Sequence, residues 1–148
     1  MKLQDQVCNL ELAKKLKELG VKQESLFWWA RDHDEKEAML MYGKPSGLYY
    51  GGSSGDNAVW MGYHDRNTDF PNEVIFDKNK PADLFSAFTV AELGEMLPIK
   101  MKTVKKVSGK YSCWISALPT SPVMESQNEA DARAKMLIYL LENKIITP

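Results

Sequence analysis

The sequence predicts an α+β fold: a mainly antiparallel sheet with two longer amphipathic helices, N- and C-terminal, and one short helix packed on it. Three observations carry this. Apolar residues recur at helical spacing near both ends of the chain, short aromatic and β-branched runs separated by Gly, Asn and Asp fill the middle, and most strands follow one another with no helix between them. The last feature favours antiparallel pairing over a doubly wound sheet.

The first helix starts at Asn9, whose side chain can cap it, and Leu12, Leu16 and Leu19 recur at i, i+4 and i+7 against Lys14, Lys15, Lys17 and Glu18 on the other faces. Gly20 tolerates the left-handed conformation that ends a helix, and Val21 is placed to fold back onto it. Strands are expected at 26–31, 38–42, 48–50, 58–63 and 73–76, with the glycine-rich 51–57 as a loop.

Thr89 and Glu92 form a capping box at the start of a short helix, with Phe88 and Leu93 as its hydrophobic staple and Pro98 ending it. The segments 100–107 and 110–117 read as a hairpin turning through the two residues Ser108 and Gly109. Ser126 and Glu129 offer a second capping box for the last helix. Its stripe is Ala130, Ala134, Leu137 and Leu141, widened by Met136 and Leu140.

The length of 148 residues suits one domain spanning 1–148. Nineteen Lys and Arg against twenty Asp and Glu give a net charge of -1, so no global field draws the chain onto duplex nucleic acid or an anionic membrane. No segment reads as a signal peptide or a membrane span, and a cytosolic location, that of a host cell, is expected. Cys8 and Cys113 lack metal-ligand spacing, so reduced, partly buried thiols are expected, with no metal and no cofactor. Four Trp, six Tyr and five Phe exceed what a minimal core needs, which puts some of them at a surface or pocket.

Three blocks, NLELAKKLKELGVKQESLFWW at 9–29, FSAFTVAELGEMLP at 85–98 and NEADARAKMLIYLLENKII at 128–146, cover about a third of the chain. In them the sequence resembles a family of accessory proteins common in phages and prophages of gut-associated bacteria. The resemblance implies a viral origin and an accessory role. It carries no activity and no binding residues; by analogy, accessory phage proteins of this size act as counter-defence factors, sponges for host nucleotide signals or direct inhibitors of a host protein.

Trp28, Trp29 and Arg31 share one strand, whose alternation sends Trp29 and Arg31 to one face and Trp28 to the other. An aromatic plane beside a guanidinium can stack a base and pair its phosphate. The competing reading packs both indoles beneath the two longer helices. The loop at 51–55 could bring backbone amides to a phosphate, with Trp60 and Arg66 nearby in sequence, yet no helix follows and no Walker lysine is present; a flexible hairpin tip is the competing reading. Lys100, Lys102, Lys105, Lys106 and Lys110 gather on the late hairpin with Trp114, as a basic aromatic patch or as lysines guarding a sheet edge. His33 and His64 each precede an acid, but neither accompanies a nucleophile motif, so an enzyme is not expected.

The candidate ligand-binding residues are therefore Trp28, Trp29, Arg31, Trp60, Arg66 and Trp114. The expected function is that of a homo-oligomeric, non-catalytic binder that sequesters a nucleotide-derived host immune signal. The alternative is an interaction module that inhibits a host defence enzyme by direct binding.

Overall fold

A computed structural model describes residues 2–31, 38–42, 48–50, 57–60, 74–77 and 83–148. It is an α+β protein; among the described residues every strand pair is antiparallel, and the strands are distributed over three three-stranded sheets. The chain divides into two compact units. One joins Met1–Gln23 to Phe88–Pro148, and the other is the intervening Glu24–Ala87.

The first unit is built around its last helix. A 3-10 turn at Leu3–Asp5 leads to α1 (Leu10–Glu18), capped by Asn9, whose Oδ1 accepts from Leu12 N–H at 3.1 Å. Gly20 sits at φ 86° after the last turn, Gly20 N–H donates to Lys17 O and Val21 N–H to Leu16 O. That pair of bonds satisfies two carbonyls the helix would otherwise leave open, and Val21 is buried against the end as its position predicts. Helix α2 (Val90–Met96) opens on the expected capping box: Glu92 N–H donates to Thr89 Oγ1 at 3.2 Å and Thr89 N–H to Glu92 Oε2 at 2.7 Å. Phe88 and Leu93, the staple pair, are both buried.

The hairpin pairs β7 (Met101–Lys105) with β8 (Tyr111–Ile115), and β9 (Met124–Ser126) completes the sheet on the far side of β8. Its turn differs from the two-residue one expected. Lys106 N–H bonds Lys110 O and Gly109 N–H bonds Lys106 O, leaving a three-residue loop, Val107-Ser108-Gly109, with Gly109 at φ 83°. A turn followed by one left-handed residue matches the twist of the two strands, and glycine takes that conformation without steric cost.

Helix α3 (Glu129–Glu142) lies on this sheet and also receives α1 and α2. Ala130, Ala132 and Ala134 are fully buried, as are Met136 and Leu140, so the helix is covered on several faces and the small side chains allow close neighbours. Its cap is Asn128, whose Oδ1 accepts from Asp131 N–H at 2.7 Å, and not Ser126. Ser126 is already committed to β9, where it pairs with Tyr111. Burial of Leu16, Phe88, Leu93, Met136 and Leu140 contributes about 1.5–3 kcal/mol apiece.

In the second unit β1 (Phe27–Arg31) is flanked by β2 (Met39–Tyr42) and β6 (Asp83–Ser86), in the order β2-β1-β6. A separate meander joins β3 (Leu48–Tyr50), β4 (Asn57–Trp60) and β5 (Val74–Asp77). Strands β6 and β9 are additions to the pattern read from the sequence. Each is three or four residues long and lacks a run of β-branched residues, so its pairing is set by its partner strand.

Candidate functional site

The described members of the expected site lie on three different sheets. Trp28 and Trp29 are in β1, the central strand of its sheet, and are only 4% and 9% exposed. Ala30 is buried beside them, so although the two indoles take opposite faces of the strand neither is open at the surface: both faces of β1 are covered. Trp28 Nε1 donates to Ser25 O at 2.9 Å, which satisfies the one polar atom of its ring. Arg31 ends β1, its backbone opposite Asp83, and Trp60 ends β4 opposite Leu48 and Val74. Trp114 is half-buried on β8 in the other unit, with Lys102 as its cross-strand partner. Arg66, the loop at 51–55, His33 and His64 lie outside the described residues.

The first unit carries a cleft of about 660 Å³ to which four separate segments contribute. The α2 start supplies Thr89 to Ala91, and the α3 start supplies Asn128 and Glu129, preceded by Gln127. Asp5 and Gln6 come from the 3-10 turn, and Lys105, Gly109 and Tyr111 from the hairpin. Alternation on β7 and β8 explains the last set. Lys105 and Tyr111 are cross-strand partners and therefore share a face, with Lys105 Nζ 5.5 Å from the centroid of the Tyr111 ring.

Charge in the cleft is unevenly engaged. Glu129 is held by Arg133, whose Nη2 and Nε reach Glu129 Oε1 at 2.7 and 3.1 Å, and whose Nη1 donates to Val90 O at 3.2 Å. Among the described residues Asp5 Oδ2 accepts only a long bond from Lys2 N–H, at 3.3 Å. Among the described residues Lys105 makes no ion pair. Apart from Asn128, whose Oδ1 caps α3, and Glu129, held by Arg133, the cleft offers an aromatic ring, an ammonium, the Asp5 carboxylate and the side-chain amides of Gln6 and Gln127. Its one aliphatic hydroxyl, Thr89 Oγ1, is bonded to Glu92 on both its donor and acceptor sides. This set can stack a planar ring, pair an anion and bond hydroxyl groups.

Neither thiol lies in the cleft. Cys8 and Cys113 are buried and not in a disulfide. Burial pushes the Cys8 thiol up to about 12, and burial raises that of Cys113 as well, opposed by a hydrogen bond with Thr103. Among the described residues no cluster of His, Cys, Asp or Glu is placed to hold a metal ion, and no helix is long and apolar enough to cross a membrane.

Sequence reasoning singled out Lys105 but missed Tyr111, Asp5, Gln6 and Gln127 as site residues. The caps at Thr89 and Asn128 mark two helix starts in the sequence, but nothing local says that the two starts converge. No protein-family model, curated protein or solved structure matches the chain.

Proposed function

We propose that this chain is a non-catalytic binder of a small nucleotide-derived ligand, a phage accessory protein that sequesters a host immune signal in the host cytosol as a homo-oligomer. The cleft is the observation that supports this reading. Its volume of about 660 Å³ falls within the range of small-molecule sites. Its chemistry divides as a nucleotide does: the Tyr111 ring for a base, Lys105 for a phosphate, and Asp5 with the Gln6 and Gln127 amides for ribose hydroxyls and base edges. Retention without turnover fits a cleft whose one aliphatic hydroxyl is tied into a helix cap.

The test is a thermal-shift screen of the purified chain against cyclic dinucleotides, cyclic trinucleotides and cyclic ADP-ribose isomers, followed by calorimetry. A ligand present at 100 times its dissociation constant stabilises the folded state by about 2.7 kcal/mol. The expected result is a clear shift with one of these, abolished by Lys105→Ala and by Tyr111→Ala, with the ligand recovered unchanged on denaturation. A ligand recovered as hydrolysed product would overturn the non-catalytic reading. No shift with any of them, together with a stoichiometric host protein in pull-downs, would replace the proposal with direct inhibition of a host enzyme.

A further inference from the structure

The two edges of the β7-β8-β9 sheet are treated differently. On β7, Ser116 N–H bonds Lys100 O and Lys106 N–H bonds Lys110 O, so the even-numbered residues direct their backbone groups to β8. Thr103 and Lys105 turn theirs outward, and among the described residues nothing pairs with them. On β9 the corresponding outward carbonyl, that of Glu125, accepts from Lys135 Nζ of α3 at 2.8 Å. Among the described residues the β9 edge has its outward carbonyl covered and the β7 edge is open.

Side chains along the open edge are of one charge with apolar groups between. Lys100, Lys102 and Val104 share the face of the sheet turned away from buried Cys113 and Ile115. Trp114 lies beside Lys102 on the same face. Val104 is 49% exposed and Val107, at the hairpin tip, wholly so. Lys106 is engaged by Glu125, which also accepts from Ser112 Oγ, but Lys100 and Lys102 have no ion pair among the described residues. Lysines that only guarded an edge against aggregation would not require exposed aliphatic neighbours.

We propose that the β7 edge is a docking site at which an extended acidic segment of a partner protein adds as a fourth strand. Its backbone would pair with Thr103 and Lys105, its carboxylates with Lys100 and Lys102, and an apolar side chain would rest on Val104 and Trp114. A second copy of this chain is disfavoured as occupant, because edge-to-edge pairing would set lysines against lysines. The side chains of Lys102 and Val104 do not line the cleft; the two sites share Lys105, which offers its backbone to the added strand and its ammonium to the cleft, so Lys102→Glu tests this site without touching the ligand reading.

Fluorescence polarisation of the full chain with a labelled peptide carrying Glu, Glu and Val at alternate positions and Thr between them tests this. Saturable binding is expected, weakened roughly tenfold or more by Lys102→Glu and by N-methylation of the peptide's alternate amides. The methylated peptide reads strand addition on the unmutated protein, so a misfolded variant leaves the test intact. Equal binding of methylated and unmethylated peptides would overturn strand addition. Absence of peptide binding, or capture of phosphatidylserine vesicles or oligothymidylate in its place, would overturn the acidic-peptide assignment.

Discussion

The buried carboxylate of Asp131 accepts two hydrogen bonds from Asn9, one from its backbone N–H at 2.8 Å and one from Nδ2 at 2.9 Å, across 122 residues of sequence. Asn9 caps α1 and Asp131 is in the first turn of α3, so one residue pair ties together the starts of the first and last helices. A carboxylate there also complements the positive end of α3.

Replacing Asp131 by Ala leaves two donors of Asn9 without their acceptor and is expected to cost about 2–3 kcal/mol in urea denaturation. Asp131→Asn, which keeps one acceptor oxygen, should cost less. Equal stability of the wild type and Asp131→Ala would show that this pair contributes nothing net.

The helix ends predict opposite responses to glycine chemistry. Lys144 occupies the left-handed position after α3 at φ 55°, with Lys144 N–H bonded to Leu141 O and Ile145 N–H to Leu140 O. Lys144→Gly should therefore stabilise by about 1 kcal/mol, and Gly20→Ala should destabilise by about 1–2 kcal/mol. Thermal unfolding of the two variants checks both signs.

Capping at α3 distinguishes two residues that look alike in sequence. Asn128→Ala should cost about 1 kcal/mol, because it removes the acceptor for Asp131 N–H, whereas Ser126→Ala should cost clearly less. The reverse order in denaturant midpoints would restore Ser126 as the cap.

Cys8 sets a stability limit on the alkaline side. Its thiol ionises near 9.0 when exposed and near 12 when folded, so its contribution is fully present below pH 9. Above that, the unfolded chain alone loses the proton, and stability falls by about 1.4 kcal/mol per pH unit until the folded thiol ionises too. The slope of stability against pH between 9 and 12 should be correspondingly shallower in Cys8→Ala. A thiol reagent should label Cys8 at neutral pH only after denaturant is added.

Residues Asn9 to Val21 and Phe88 to Pro98 are legible in the sequence because their determinants are local. A cap, an i, i+4 stripe, a left-handed glycine and a proline all act within about one helical turn. The late hairpin is legible for a related reason, since its strands are near neighbours in sequence, but the pairing of Lys102 with Trp114 is not: a two-residue turn at Ser108-Gly109 would set Thr103 opposite Trp114, and the three-residue loop shifts the register by one. Burial of Trp29 is not legible either, because alternation says which side of a strand a residue occupies but not whether that side is covered.

The sequence by itself determined the α+β class, the two helix starts at Asn9 and Thr89, the end of α1 and the existence of the late hairpin. Only the tertiary structure decided that β6 pairs with β1, that Asn128 rather than Ser126 caps α3, that Asp131 closes onto Asn9, and that Tyr111 and Lys105 meet Asp5 and Gln6 around one cleft. The division follows from the range of the forces. A helix closes each backbone bond within four residues and so announces itself locally. Strand pairing, burial and a multi-segment cleft depend on partners tens of residues away, whose position no local pattern encodes.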